Sequence, residues 1–255
     1  MKTIAIIQAR MGSKRLPGKV LEQIEKKPML YHIVDRVKRV SQIEDIVIAT
    51  SNEKTDEPIV DFCLSNSIKY FAGSENNVLD RFYQAANKYN ADPIIRITGD
   101  CPLVDSQVVM NLIKLFFSLK SDHAGVATGA GTINNKDRCF PDGLDAECFS
   151  FKSLKDAWEN ATSTIDKEHV TPFIWKNPKL FKLSTLFSDS DYSEHRWTVD
   201  NKEDLIFIRK IYKLLYQNNK YFGMDKVIDL LNSKKELSQI NKMHLGREGY
   251  KEIWK

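Results

Sequence analysis

Thr3-Ile4-Ala5-Ile6-Ile7-Gln8-Ala9-Arg10-Met11-Gly12-Ser13-Lys14-Arg15-Leu16-Pro17-Gly18-Lys19 is the stretch on which the fold turns. Thr3 to Ala9 is a continuous apolar run. A strand covered on both faces shows no apolar–polar alternation, so this run predicts a buried parallel strand. The residues after it change character abruptly. Four cations, Arg10, Lys14, Arg15 and Lys19, fall among glycines and a serine. Glycine lets backbone approach a ligand closely, successive N–H groups can cradle an anion, and Arg and Lys neutralise phosphate oxygens. This predicts an anion-binding loop. The spacing is neither that of a Walker A loop nor Gly-x-Gly-x-x-Gly.

Moving outward, strand and helix patterns alternate. Pro28 opens a helix whose apolar positions are Met29, Leu30, Ile33, Val34, Val37 and Val40. Asp45 to Thr50 reads as a second buried strand, Glu57 to Leu64 as a helix and Ile68 to Ala72 as a third strand. Val78 to Tyr89 is a helix, Pro93 to Thr98 a fourth strand, and Ser106 to Leu119 another helix. The series predicts a parallel sheet with helices on both faces. Ligands of such sheets sit at the carboxyl ends of the strands. The loops Arg10 to Val20 and Gly99 to Asp105 are therefore expected to line one crevice.

The second half is less regular. His123 to Thr128 and Glu147 to Phe151 read as strands, residues 129–143 as a loop rich in Gly, Asn and Asp, and Leu154 to Ala161 as a helix. Glu168 to Trp175 and Asp204 to Gln217 read as helices, and the tail after Met224 as one amphipathic helix with a polar end. Phe82, Tyr83 and Trp158 fall at helical spacing and read as core. The basic run from Lys26 to Arg39 reads as the solvated outer face of a helix.

Composition narrows the function. The 255 residues are 42% hydrophobic and 28% charged, ordinary for a globular protein. The 38 Lys and Arg against 34 Asp and Glu leave +4, too little for a nucleic-acid binder, and no basic stripe interleaves with aromatics. The Ile4–Ile7 run is too short for a secretory leader, and no apolar stretch approaches a membrane span. Cys63, Cys101, Cys139 and Cys148 lack Cys-x-x-Cys spacing and read as reduced thiols of a cytoplasmic protein.

Two carboxylates are candidates to hold a metal. Asp100 closes the fourth strand in Arg96-Ile97-Thr98-Gly99-Asp100-Cys101-Pro102-Leu103-Val104-Asp105 and faces the crevice, placed for Mg²⁺ that also takes phosphate oxygens. Asp105 is either a helix cap or support for the site. Asp200, in His195-Arg196-Trp197-Thr198-Val199-Asp200-Asn201-Lys202-Glu203-Asp204, is a second ligand, a cap completed by Glu203, or both.

The loop Gln8 to Lys19 and the segments Arg96 to Asp105 and Arg196 to Leu205 resemble the CMP-sugar synthetases. These include the KDO and acylneuraminate cytidylyltransferases, and the resemblance is nearest to the spore-coat polysaccharide cytidylyltransferase group. Gly73-Ser74-Glu75, Val78-Leu79-Asp80-Arg81-Phe82, Phe140-Pro141-Asp142-Gly143-Leu144-Asp145 and Glu168-His169-Val170-Thr171-Pro172 match as well. The matches run in order over roughly residues 3–215. The KDO enzymes carry an acidic or neutral residue where Cys101 stands, whereas Gly-Asp-Cys-Pro-Leu is at home in the spore-coat group. The tail beyond about residue 220 matches no motif.

The resemblance implies a Rossmann-like nucleotide-diphospho-sugar transferase fold, α/β, with a mixed, mostly parallel sheet. It implies one nucleotidyltransferase domain over residues 1–220, irregular between about 129 and 195, followed by a helical tail over 221–255. It implies CTP bound by Gln8, Ala9, Arg10, Gly12, Ser13, Arg15 and Lys19, and Mg²⁺ on Asp100 and Asp200. An acceptor oxygen then attacks the α-phosphorus and pyrophosphate leaves in line, with Arg15, Lys19 and Asp100 as the catalytic set. The acceptor is a small acidic sugar, or a related phosphate, phosphonate or hydroxyl compound. Candidates to bind it are Asp142, Asp145, Glu147, His169, His195 and Arg196, and each histidine reads equally as a satisfied structural residue. Many relatives are homodimers, with residues 130–180 near the interface. Composition does not read the base, so a guanylyl- or uridylyltransferase, or a nucleotide-binding regulator without catalysis, stays open.

Overall fold

A computed structural model describes residues 2–128, 138–217 and 220–246. Residues 129–137 of the expected loop, and the polar end from residue 247, lie outside them. Strand β1 (Lys2–Gln8) runs through the middle of a seven-stranded sheet in the order β5-β4-β1-β6-β8-β7-β9. Here β4 is Asp45–Ser51, β5 Lys69–Gly73, β6 Ala91–Thr98, β7 His123–Val126, β8 Ala146–Phe149 and β9 Leu183–Leu186. β5, β4, β1 and β6 are parallel, while β8 runs antiparallel to both neighbours and β9 lies parallel to β7. The mixed sheet follows the resemblance rather than the all-parallel pattern of the first half.

Successive side chains of β1 face opposite sides. Ala5 and Ile7 join the core formed with α1 (Met29–Val37), α2 (Glu57–Ser65), α4 (Ser106–Leu119), α8 (Lys202–Leu215) and α9 (Met224–Ser233). Ile4 and Ile6 join the other core, with α3 (Val78–Tyr89), α5 (Phe151–Asn160) and α7 (Pro172–Trp175). Phe222, Val227, Leu231 and Leu237 enter the first core, so residues 220–246 pack with the domain.

Several local readings change. Glu168 to Trp175 is not one helix: α6 (Thr164–His169) and α7 are separated by Val170 at φ 73°. Pro172 lacks an N–H and disfavours helical geometry before it, which breaks the run. A two-residue hairpin, β2 (Gln23–Ile24) and β3 (Lys27–Pro28), precedes α1, and β9 went unread. Within the basic run Arg36 is buried. Its guanidinium donates to the Tyr212 hydroxyl (3.0 Å) and to the Phe222 carbonyl (3.1 Å), partners far along the chain. Trp158 is 37% exposed, stacked on Tyr83 at 4.2 Å, because its Nε1 turns out to Asp80.

Candidate active site

The sheet order changes direction at β1, with β4 and β5 on one side and β6 on the other. β1 and β6 end together, Gln8 opposite Thr98. The Gly99 N–H donates to the Gln8 carbonyl at 2.8 Å, and a Cβ on Gly99 would stand 2.7 Å from that oxygen. Only glycine allows this approach, which fixes where Asp100 emerges.

The basic loop is anchored at both ends. The Met11 N–H donates to Asp56 at 2.7 Å, and Asp56 is itself held by Thr50 and Ser51 at the end of β4. Gly18, at φ 73°, turns the chain so that its N–H reaches the Met11 carbonyl (2.9 Å) and the next residue points inward. That residue is Lys19. Its buried ammonium lies 2.8 Å from Asp100 Oδ2, 2.9 Å from Asp200 Oδ1 and 2.7 Å from the Val199 carbonyl. Burial alone would lower the Lys19 pKa, but the two carboxylates outweigh it and raise it. Burial likewise pushes Asp100 up, and the Lys19 charge and hydrogen bond hold it below the ordinary carboxylate value.

The second half supplies the facing wall. Gly143 has φ 103°, and a Cβ there would stand 2.5 Å from the Thr198 nitrogen. The chain around it therefore lies directly against residues 196–198. The Trp197 N–H donates to the Asp142 carbonyl (2.6 Å) and the Asp142 N–H to the His195 carbonyl (3.0 Å). Arg196, buried at the centre, reaches Asp142 (3.1 Å), Asp200 (2.9 Å) and Asp204 (3.1 Å). Burial lowers its pKa, yet the Asp204 hydrogen bond and the surrounding carboxylates raise it above the usual value. Burial first, then Asp145, pushes Asp142 well up despite Arg196. Asp145 is raised too, chiefly by burial, with Thr128 and the Gly143 N–H opposing.

These parts enclose one cavity of about 580 Å³. Gln8, Ala9, Arg10, Ser13, Arg15, Lys19, Asp100, Asp142, Asp145, His169, Arg196 and Asp200 line it together. Three expected residues do not. Gly12 lies outside the lining. His195 packs near Tyr192 and Trp197, and burial lowers its pKa. Glu147 is buried behind the wall, holding Arg96 (2.5 Å), His123 (2.9 Å) and Thr171 (2.7 Å). Asp105 caps α4, accepting from the Gln107 and Val108 N–H groups, and its other oxygen accepts from Met224. The cap of α8 is a box made by Asn201 and Asp204, one residue beyond the expected Asp200 and Glu203. Asp200 is thereby left to face Lys19.

Sequence reading passed over Arg81 and Arg96, which also line the cavity. Burial brings the Arg81 pKa down to about 10. The signal was available in Arg96, a charge inside the apolar strand Ile94-Ile95-Arg96-Ile97, which must be directed at something specific.

Among the described residues, no three acidic, histidine or cysteine side chains group closely enough to enclose a metal by themselves. Mg²⁺ keeps water and substrate oxygens and takes one or two carboxylates. Asp100 and Asp200 already converge on one cation, the Lys19 ammonium, so the donor set fits.

A strand-order switch, a glycine-bearing cationic loop and two converging carboxylates make a crevice for a charged ligand at the strand ends of an α/β sheet. A family model described as cytidylyltransferase matches residues 4–252, and the chain belongs to that family. It is 36% identical over 258 residues to an uncharacterized protein of Methanocaldococcus jannaschii, covering 99% of each chain. It is 33% identical over 218 residues to the spore coat polysaccharide biosynthesis protein SpsF of Bacillus subtilis, covering 82% of this chain and 85% of that one. Its fold matches the structure of a cytidylyltransferase from Leptospira borgpetersenii with a TM-score of 0.85 at 27% identity, over 94% and 98% of the two chains.

Proposed function

We propose that the chain transfers CMP from CTP, with Mg²⁺, to an oxygen of a small acidic sugar or a related phosphate, phosphonate or hydroxyl acceptor. The product is a surface-polysaccharide or glycoconjugate precursor, and pyrophosphate is released. The name of the Bacillus relative supports the polysaccharide setting. The observation that carries the reading is the Lys19 ammonium held between Asp100 and Asp200 at the foot of the cationic loop.

The acceptor oxygen, its proton lost to solvent, bonds as an oxyanion to the α-phosphorus as the bond to the bridging oxygen breaks, and the leaving pyrophosphate takes that electron pair. Arg10, Arg15 and Lys19 neutralise the phosphates and hold the chain of oxygens in line. When bound, Mg²⁺ supplies Lewis-acid neutralisation at the α-phosphate. Asp142, Asp145, Glu168 and His169 also line the cavity, and we assign them to the acceptor. No helix among the described residues is long and apolar enough to cross a membrane. We expect a cytoplasmic setting, as the spacing of the four cysteines suggests. We expect a homodimer with residues 130–180 near its interface; Leu180, 69% exposed, is the kind of side chain an interface covers, and sedimentation velocity tests it.

Thermal unfolding with CTP, UTP, GTP or ATP, each with Mg²⁺, tests the donor. A nucleotide at 100 times its dissociation constant adds about 2.7 kcal/mol, a shift of roughly 5–10 °C for this size. CTP is expected to give that shift and the others little. A larger shift with another nucleotide overturns the cytidylyl reading. Pyrophosphate release then screens acidic sugars, phosphates and phosphonates as acceptors.

A further inference from the structure

Asp204 stands behind the carboxylate wall and is fully buried. Its Oδ2 accepts from the backbone N–H groups of Asp200 (3.1 Å) and Asn201 (2.9 Å), so it fixes the chain that presents the Asp200 carboxylate. Its Oδ1 accepts from Arg196 Nε (3.1 Å), and Arg196 grips the Asp200 side chain directly. One further donor completes the arrangement. Asn241, 3% exposed, gives its amide hydrogens to Asp204 Oδ1 (2.9 Å) and to the Arg196 carbonyl (3.0 Å).

Asn241 belongs to the tail, which carries no motif. The tail's other anchors in the core, Phe222, Val227, Leu231 and Leu237, are apolar. A buried amide is costly unless its hydrogens are satisfied, and both of these are directed at the wall. The segment is latched from the outside by His244, whose ring lies 3.1 Å from Glu203 on α8. We propose that Asn241 is a positioning residue: through Asp204 and Arg196 it sets the Asp200 carboxylate for the metal–nucleotide complex. The proposal rests on the reading of Asp200 as a metal ligand given above.

Partners that orient a metal ligand cost about 10–100-fold in affinity when lost. Asn241 acts one bond further out, so about 3–10-fold is expected. The test is Mn²⁺ titration by calorimetry with α,β-methylene-CTP present, on full-length wild type, Asn241→Leu and Asp200→Asn, with CTP binding in metal-free buffer measured alongside. Asn241→Leu is expected to weaken Mn²⁺ 3–10-fold while leaving metal-free CTP binding unchanged. Asn241→Asp, which sets a carboxylate against Asp204, is expected to weaken it further. Should Asn241→Leu not fold, Asn241→Ser carries the same test. A folded Asn241 variant with wild-type Mn²⁺ affinity, in a background where Asp200→Asn loses it, overturns this inference alone. Wild type binding Mn²⁺ no better than Asp200→Asn overturns the metal reading and this inference with it.

Discussion

The two halves of the chain build the same cavity by different means. In the first, functional residues sit at strand ends, where the parallel sheet brings the loop after β1 and the Gly99-Asp100 turn after β6 together. In the second, they are placed by partners far along the chain. Asp142 meets Arg196 across 54 residues, and the Arg196 carbonyl meets Asn241 across 45. A site built from strand ends can be read by periodicity alone; a site built from a buried ion network cannot.

The comparison can be attacked at five points. Asp100→Ala removes a strand-end carboxylate and leaves the Lys19 ammonium to Asp200 and the Val199 carbonyl. Its turnover is expected to fall a thousandfold or more, about 4 kcal/mol of barrier, with the fold retained. Near-normal pyrophosphate release by this variant would falsify the assignment of Asp100. Arg196→Met should act mainly on stability. It strands Asp142 and Asp204 in the interior, a loss of about 3–4 kcal/mol that urea unfolding would record. Arg15→Met, whose partner is the same Asp200 but whose side chain is half exposed, should cost under about 1 kcal/mol.

Glu147 gives a pH signature of the second half. Burial would raise its pKa, but Arg96, His123 and Thr171 bring it down to about 2. A depressed carboxylate stabilises the fold above its unfolded value, and that contribution fades as pH falls from roughly 4.5 towards 2, by about 3 kcal/mol at most. Glu147→Gln should lack that part of the acid slope in unfolding experiments; an unchanged slope would show that the network contributes nothing. Gly143→Ala is expected to cost about 2 kcal/mol, from strained backbone and the contact with residue 198. Melting equal to wild type would mean that this wall yields more easily than its geometry implies.

Legibility followed the same division. α3 and α4 have the limits read from the sequence, Val78–Tyr89 and Ser106–Leu119, because their apolar spacing is strong and their ends are marked. The strand-end placement of Asp100 and of the cationic loop followed from topology alone. What escaped reading depends on pairing rather than pattern. β9 has only four residues, too short to show a period. The α8 cap was misplaced by one residue because Glu203 and Asp204 both fit the spacing, and the buried Asp204 won. Arg36 and Asn241 were invisible as buried groups because their partners lie elsewhere in the chain, whereas Arg96 stood out within its apolar strand.

The Lys19 ammonium has a consequence for order of arrival. A divalent ion reaching Asp100 and Asp200 alone competes with a tethered cation already held by three oxygens. Triphosphate oxygens arriving with it offer that cation new partners and release the carboxylates. On the proposed reading, metal and nucleotide would be linked ligands, each raising the affinity of the other by the same factor. The resting cavity carries its own counter-ion, which would give way to metal when there is a nucleotide to receive the lysine.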